Sequence, residues 1–449
     1  MPSAAEQLAA NINLGVFAKA TELKKRLWFT LGALVVYRLG TYIPLPGIDA
    51  RVLQDIFQQN AGGILGMFDM LAGGALSRMT IFALNIMPYI SASIIMQLMT
   101  TVSSTLETLK KEGEIGRKKI NQYTRYLTVL IAALQAYGIA VGLEGMTASM
   151  SSDSAVVWGS FEFRFAAVVT LVGGTVFLMW LGEQITTRGI GNGISLIIFS
   201  GIVANLPHAL VATLELGRTG ALSVLVIISL LVMAVSVVMV IVLVERAQRR
   251  ILVQYPKRQQ GTRVYGGEST HLPLKVNAAG VIPPIFASSI LLLPITVASF
   301  TAERGPEWLA TLTVLLGHGQ PLYLGLYTTL IAFFAFFYTA VVFNPTETAD
   351  NLKKYGGFVL GIRPGKNTAD YLDHVLTRLT VVGAFYLVIL SVLPELLISH
   401  WAVPFYFGGT SLLIVVTVTM DTVAQIQSHL LAHQYEGLIK RAKLRGKRG

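Results

Sequence analysis

Residues 221–244 read ALSVLVIISLLVMAVSVVMVIVLV, an apolar run that contains no charged side chain. A helix needs about 20 predominantly apolar residues to cross the hydrocarbon core of a bilayer, so this stretch is long enough to span a membrane. The composition of the whole chain agrees, because 53% of its 449 residues are hydrophobic and only 13% are charged. Soluble domains carry about 25% charged residues. The sequence therefore predicts an all-α polytopic membrane protein.

Nine further apolar runs lie on both sides of this stretch, which gives ten predicted transmembrane helices. They fall at 27–45, 77–100, 123–143, 163–182, 194–213, 221–244, 279–299, 321–343, 377–397 and 407–428. Pro88, Pro283 and Pro284 lie inside predicted spans, where neighbouring helices can satisfy the backbone groups that a kink frees. Residues 1–26 have mixed polarity and are predicted to form an amphipathic N-terminal arm, with a frayed terminus as the alternative.

The basic residues indicate how the chain is oriented. Most of the 35 Lys and Arg residues lie in the N-terminal arm, in the 2/3, 6/7 and 8/9 connections and in the C-terminal tail. Cytoplasmic connections carry an excess of Lys and Arg, so these segments are predicted to face the cytoplasm. Both termini then lie on the cytoplasmic side, as an even number of spans requires. The net charge of +11 is therefore a signal of topology first.

Two of the predicted cytoplasmic loops, 246–278 and 344–376, are long and polar. Residues 255–275, YPKRQQGTRVYGGESTHLPLK, alternate around glycines as in a β-hairpin. The second loop contains segments typical of a short helix and of turns. Ordered projections that expose arginines favour the docking of a large partner, and the alternative is a solvated tether.

Few residues in the spans suggest chemistry. The chain has no cysteine, which excludes disulfides, thiolate metal sites and a cysteine nucleophile. The seven histidines show no metal-ligand spacing, so no metal, cofactor or catalytic residue is predicted. Charged residues such as Arg38, Glu183 and Asp421 lie near span ends, whereas an ion or proton path needs them near the bilayer centre. GIGNG at 189–193 is predicted to be a tight turn, because no lysine follows it as in a phosphate-binding loop.

Two apolar features remain to be explained. Residues 63–78, GILGMFDMLAGGALSR, are oily and rich in glycine, yet too short and broken to cross a bilayer. Ile86 and Ile90 are spaced by one helical turn, and Ile198 and Ile202 repeat that spacing. From this pattern alone, ordinary packing against lipid or other helices is the favoured interpretation.

A family resemblance changes that interpretation. The blocks that carry it are FALNIMPYISASIIMQL, KKEGEIGRKKINQYTRY, MWLGEQITTRGIGNGIS, STHLPLKVNAAGVIPPIFASS, FNPTETADNLKK, GIRPG and VPFYFGGTSLLIVV. In their order and position they resemble the SecY family, the channel subunits of the bacterial protein translocase, from about residue 20 to the tail. The resemblance implies two pseudo-symmetric five-helix halves, 27–213 and 221–428, followed by a basic tail at 429–449.

The resemblance also implies specific site residues. The pore ring falls on Ile86, Ile90, Ile198, Ile202, Ile285 and Ile414. The re-entrant plug, 63–76, has as its apolar and glycine residues Ile64, Leu65, Met67, Phe68, Met70, Leu71, Gly73 and Gly74. Few polar groups tie this plug down, so we expect it to be displaced easily. Contacts with a cytoplasmic partner are implied for Lys257, Arg258, Arg263 and Arg363. Thr262 stands where relatives often have a second basic residue, which leaves the strength of the 6/7 contact open.

The function implied is that of a passive protein-conducting channel, not an enzyme. Such a channel passes unfolded secretory polypeptides and releases transmembrane segments sideways into lipid between spans two and seven. Its implied partners are SecE and SecG, the SecA motor ATPase, the ribosome with its nascent chain, signal peptides and preproteins, and membrane lipids. The implied location is the bacterial inner membrane. The alternatives are a secondary transporter of a small solute, which needs polar groups near the midplane, and a membrane scaffold for cytoplasmic enzymes.

Overall fold

A computed structural model describes residues 21–49, 72–145, 156–220, 223–256, 258–260, 263–265, 269–301, 315, 320–401 and 409–445. The helices, in chain order, are α1 (Thr21–Gly40), α2 (Met87–Val102), α3 (Ser104–Lys111), α4 (Glu114–Gly145), α5 (Ser160–Arg188), α6 (Gly193–Arg218), α7 (Val224–Arg246), α8 (Ile282–Thr301), α9 (Pro321–Val342), α10 (Pro345–Lys354), α11 (Lys366–Trp401) and α12 (Gly409–Arg445). Each of the ten predicted spans overlaps one of these helices.

Within the described part of the chain, seven helices are long and apolar enough to cross a membrane. They are α4, α5, α6, α7, α9, α11 and α12. The helix α2 and the first half of α8 are shorter apolar helices. The prediction of an all-α polytopic membrane protein is therefore confirmed. Residues 1–20 of the predicted N-terminal arm lie outside the described residues, and the rest of the arm is the first part of α1.

The second predicted span begins later than the sequence suggests. Residues 77–86 form turns, and the helix starts only at Met87. Pro88, which falls inside the predicted span, lies in the first turn of α2. Proline fits there since the first backbone N–H groups of a helix have no intrahelical acceptor. Pro283 and Pro284 lie likewise in the first turn of α8.

The two long loops form one small sheet. Its strands are β1 (Gln248–Gln254), β4 (Ser269–Lys275) and β5 (Phe358–Val359), while β2 (Arg258–Gln260) and β3 (Arg263–Tyr265) make a separate two-stranded hairpin. Strand β1 pairs antiparallel with β4, with Gln248 opposite Lys275, and with β5, with Val253 opposite Val359. The predicted hairpin is therefore present, and the loop between α9 and α11 adds a strand to it.

We call this sheet, together with α10 and the first turns of α11, the loop platform. It has a hydrophobic core of its own, drawn from both loops and from α11. The buried members of that core are Ile251, Val253, Leu274, Val359, Leu372 and Val375. Because residues from both loops bury the same apolar surface, we expect the two loops to fold as one body.

Replacing Leu372 with alanine is expected to loosen the loop platform. The Leu372 side chain is fully buried, and truncating a buried leucine costs about 2–5 kcal/mol. Added protease should then cut within 246–278 faster than in the wild type, while the transmembrane fragments stay intact. The exposed Leu360 supplies the matched control, and Leu360→Ala should leave cleavage unchanged. Equal cleavage of the two variants would contradict a shared core.

The described chain divides into two compact units. One contains the residues up to Val211 and those from Ile414 onward, and the other contains most of the chain between them. In the first unit, the turn at 189–193 is held by side chains from two distant helices. The Ile190 N–H donates to Thr30 Oγ1 at 3.0 Å, and the Gly191 N–H donates to Gln425 Oε1 at 2.8 Å. The tight turn predicted for GIGNG is thereby confirmed, and it joins α1 to α12.

Candidate functional site

The isoleucines predicted for the pore ring are mostly buried. Ile86 is the residue that precedes α2, and Ile90 lies one turn later, with its N–H donating to the Ile86 carbonyl at 3.1 Å. Ile198 and Ile202 lie one turn apart in α6, and Ile414 lies in the first turns of α12. These five side chains belong to the first unit, and each is at most 7% exposed. The sixth, Ile285, lies in α8 of the second unit and is half-buried.

Ile86 is positioned by the irregular segment 72–86, which packs where neighbouring helices have glycines. A Cβ on Gly40 of α1 would overlap the Phe82 ring, and a Cβ on Gly174 of α5 would overlap the Ile81 carbonyl oxygen. The Phe82 ring also stacks on Tyr37, with a centroid distance of 6.1 Å. Only glycine permits an approach this close, so these two glycines let the segment lie against α1 and α5.

The described end of the predicted plug is held by α1. Of the predicted plug residues, Ile64, Leu65, Met67, Phe68, Met70 and Leu71 lie outside the described residues. Gly73 and Gly74 are described and adopt left-handed backbone angles, with φ of +68° and +81°. Arg38 Nη1 donates to the Gly73 carbonyl at 2.7 Å, and the buried Tyr37 hydroxyl donates to the Ala72 carbonyl at 3.4 Å.

These two bonds correct one expectation from the sequence. The small number of polar groups in the plug suggested weak attachment, but α1 binds backbone carbonyls, which every residue carries. For residues 72–73 the expectation is therefore wrong. The guanidinium of Arg38 also lies 5.2 Å from the centre of the Tyr42 ring, and that of Arg78 lies 4.3 Å from it. The only sequence signal of this arrangement was a charged residue, Arg38, near the end of an apolar span.

The predicted partner-binding residues lie on the two long loops. Arg363 is exposed, and its carbonyl accepts a bond from Thr368 Oγ1 at 2.9 Å at the start of α11. Arg258 lies in β2 and Arg263 in β3. Lys257 and Thr262 are outside the described residues. Because β5 pairs with β1, the structure joins the loop of Arg363 to the loop that carries the β2–β3 hairpin.

Glu183, a charged residue near a span end, has a structural partner. It accepts two bonds from Arg125 at 3.0 and 2.7 Å, so α4 and α5 are joined by a bidentate pair. A second such pair, Arg164 with Glu144, joins the same helices near their other ends. Bidentate pairs fix geometry as well as charge, so these groups serve helix packing. Among the described residues, no cluster of His, Cys, Asp or Glu could hold a metal ion.

Comparisons with known proteins identify the family of the chain. Residues 80–423 match the model of the SecY family. The chain is 59% identical over 426 residues to the protein translocase subunit SecY of Escherichia coli K12, covering 95% of this chain and 96% of that protein. It is 56% identical over 430 residues to the SecY subunit of Vibrio cholerae, with 95% and 96% covered.

Solved structures are similar in fold at much lower identity. A structure described as a protein conducting channel has a TM-score of 0.64 and 16% identity, covering 91% of this chain and 92% of that one. Sec61 in the canine ribosome-channel complex has a TM-score of 0.61 and 16% identity, with the same coverage. Given the family match and the close bacterial relatives, the chain belongs to the SecY family.

Proposed function

We propose that this chain is the protein-conducting subunit of a translocase in a bacterial inner membrane. It would pass unfolded secretory polypeptides across the membrane and release transmembrane segments sideways between α2 and α8. The observation that carries the proposal is the family match over residues 80–423, together with isoleucine at all six ring positions. The comparisons give no support to the alternative of a small-solute transporter.

A ring of isoleucines suits this function for a physical reason. A hydrated ion that enters an apolar constriction loses water partners and gains none, which opposes leakage. The same side chains offer no hydrogen bond or charge that would retain one particular polypeptide sequence. Five of the six side chains are buried in the first unit, which keeps them away from water, as an apolar barrier requires.

One end of the proposed plug is attached to α1. Residues 72–73 are bound to α1 through Arg38 and Tyr37, so displacement of the plug at 63–76 would pivot near this end. The left-handed Gly73 and Gly74 supply the bend that such a pivot requires. We infer that residues 72–73 stay attached to α1 when the plug is displaced.

The loop platform is the proposed docking site for the partner that supplies energy. Its exposed Arg363 can pair bidentately with a carboxylate of a motor protein or a phosphate of ribosomal RNA. A Sec61 relative has been solved in a ribosome-channel complex, which supports the ribosome as one such partner. We assign ATP hydrolysis to SecA, and SecE and SecG as the other subunits. In this arrangement the platform and both termini face the cytoplasm.

Cross-linking would test the path of the polypeptide. The chain has no cysteine, so a single cysteine at Ile90 can be paired with one cysteine in a stalled secretory chain, in inverted vesicles. We expect a disulfide during translocation, because Ile90 would line the path. The control is a cysteine at Ile95, which lies on the same helix and is 39% exposed. Secretion that proceeds without a cross-link at Ile90 or Ile86 would refute the assignment.

A further inference from the structure

A buried carboxylate lies where the loop platform meets the membrane helices. Glu245 is in the last turn of α7 and only 7% exposed. The C-terminus of a helix carries partial negative charge, so a carboxylate there is disfavoured by the helix dipole. Burial disfavours the charge further unless hydrogen bonds compensate. Neither the helix dipole nor burial therefore favours a carboxylate at this position, and hydrogen bonds have to compensate for both.

One partner of Glu245 is an asparagine that leads into the next span. Asn277 is 4% exposed, and its Nδ2 donates to Glu245 Oε1 at 2.6 Å. The same Nδ2 donates to the Gly280 carbonyl at 3.1 Å, and Asn277 Oδ1 accepts from the Gly280 N–H at 3.1 Å. Asn277 thus connects the end of α7 to the residues just before α8. Aspartate could not replace it, because a carboxylate has no N–H to donate.

The segment between β4 and α8, residues 276–281, makes further contacts with neighbouring elements. The Val276 N–H donates to the Ala247 carbonyl at 3.1 Å, next to the first pair of the β1–β4 ladder. A Cβ on Gly383 of α11 would lie 2.9 Å from the Val276 carbonyl oxygen, so α11 packs closely on the same backbone. The six residues between β4 and α8 are therefore held on three sides. These six residues can therefore absorb only a small part of any displacement of the loop platform.

We propose that Asn277 is a positioning residue that couples the loop platform to the first turn of α8. Asn277 forms hydrogen bonds with Glu245 and with both the N–H and the carbonyl of Gly280. Through these bonds, binding of a partner to the loop platform shifts the start of α8, the helix that carries Ile285. This inference rests on the proposed function for the identity of the partner. The coupling itself belongs to the backbone and side-chain bonds of the second unit.

The test exchanges the carboxylate and the amide between residues 245 and 277. Asn277→Asp removes the donor and places a second carboxylate against Glu245. The double variant Glu245→Gln with Asn277→Asp restores one amide and one carboxylate with the direction of the bond reversed. Thr339→Val is the matched control, because it removes another buried side-chain hydrogen bond of the same unit, in α9. All variants are assembled with SecE and SecG in inverted vesicles.

The first readout is hydrogen exchange at the backbone amides of residues 280–282, 285 and 286 with and without purified SecA; residues 283 and 284 are prolines and have no amide hydrogen. In the wild type and in Thr339→Val, we expect SecA to change the exchange rate of these amides. In Asn277→Asp this response should fall by roughly tenfold, the size expected for one lost buried hydrogen bond. The double variant should recover only part of it, because the amide placed at position 245 restores the bond between residues 245 and 277 but the bond to the Gly280 carbonyl stays lost. A response that persists in Asn277→Asp, or that fails to return even in part in the double variant, would overturn the proposal.

The second readout separates the coupling from the proposed function. Asn277→Asp should bind SecA as the wild type does but transport a secretory preprotein about tenfold more slowly. Unimpaired transport by Asn277→Asp would overturn the coupling. If the wild type gives no cross-link to Ile90 during transport, the proposed polypeptide path fails, while the exchange measurement still decides whether the platform and α8 are coupled.

Discussion

Replacing Ile202 with asparagine is expected to make the resting channel leak ions. The Ile202 side chain is 1% exposed and lies in α6 at one of the six proposed ring positions. An amide there would offer both a donor and an acceptor to a passing ion and its remaining water. Recovering even one hydrogen bond, about 1–3 kcal/mol, lowers the barrier enough to raise conductance roughly tenfold to a hundredfold.

The measurement is ion flux across proteoliposomes that contain the channel without substrate. Ile202→Val keeps the site apolar and should leak no more than the wild type. Leu210→Asn introduces the same amide on an exposed position of the same helix, so it controls for damage to α6. Equal flux through Ile202→Asn and Leu210→Asn would show that Ile202 is not part of the barrier.

Replacing Gly73 with valine is expected to dislodge the fixed end of the plug. The backbone of Gly73 has φ of +68°, where a side chain costs about 1–2 kcal/mol and a β-branched residue is a clear outlier. A Cβ at this position would lie 2.9 Å from Gly201 Cα and 2.9 Å from Arg38 Nη1. The first contact is with helix backbone, which cannot rotate away. The second would displace the guanidinium from the carbonyl that it binds.

Strain and the lost hydrogen bond together should cost about 2–4 kcal/mol. We expect a lower unfolding temperature and increased ion flux in the absence of substrate. The control is Gly113→Val, because Gly113 has φ of +77° but no atom near its Cβ position. That variant has the backbone strain without the collision, so the difference between the two measures the seating of residue 73. A Gly73→Val channel as stable and as tight as Gly113→Val would contradict the attachment to α1.

Much of the fold follows from local sequence. The run at 221–244 corresponds to α7 within a few residues, because partition into a bilayer depends on the apolar length of a segment and little on its neighbours. The turn at 189–193 and the hairpin at 255–275 were also predictable, since glycines and alternation act over a few residues. The ring isoleucines were not distinguishable by pattern from packing residues, and only the family resemblance assigned them a role.

Tertiary packing decided the rest. Residues 77–86 belong to a predicted span, yet they are not helical. They pack against glycines of other helices, with the Phe82 ring at Gly40 and the Ile81 carbonyl at Gly174. Strand β5 joins β1 across about one hundred residues of sequence, through a core that neither loop could bury alone. Glu245 and Asn277 each look unremarkable in sequence, and their bond exists only because two helix ends meet at the base of a sheet.

The sequence by itself thus determined which segments enter the membrane, the orientation that we predict for them, and the family of the chain. These properties depend on composition within windows of about twenty residues and on the charges between them. The tertiary structure decided three other features. These are the attachment of the plug to α1, the joining of two loops into the loop platform, and the hydrogen bonds of Asn277 just before α8. The attachment of the plug uses backbone carbonyls, which every residue carries and which leave no mark in the sequence. The other two features use side chains that lie far apart in the sequence and meet only in the folded chain.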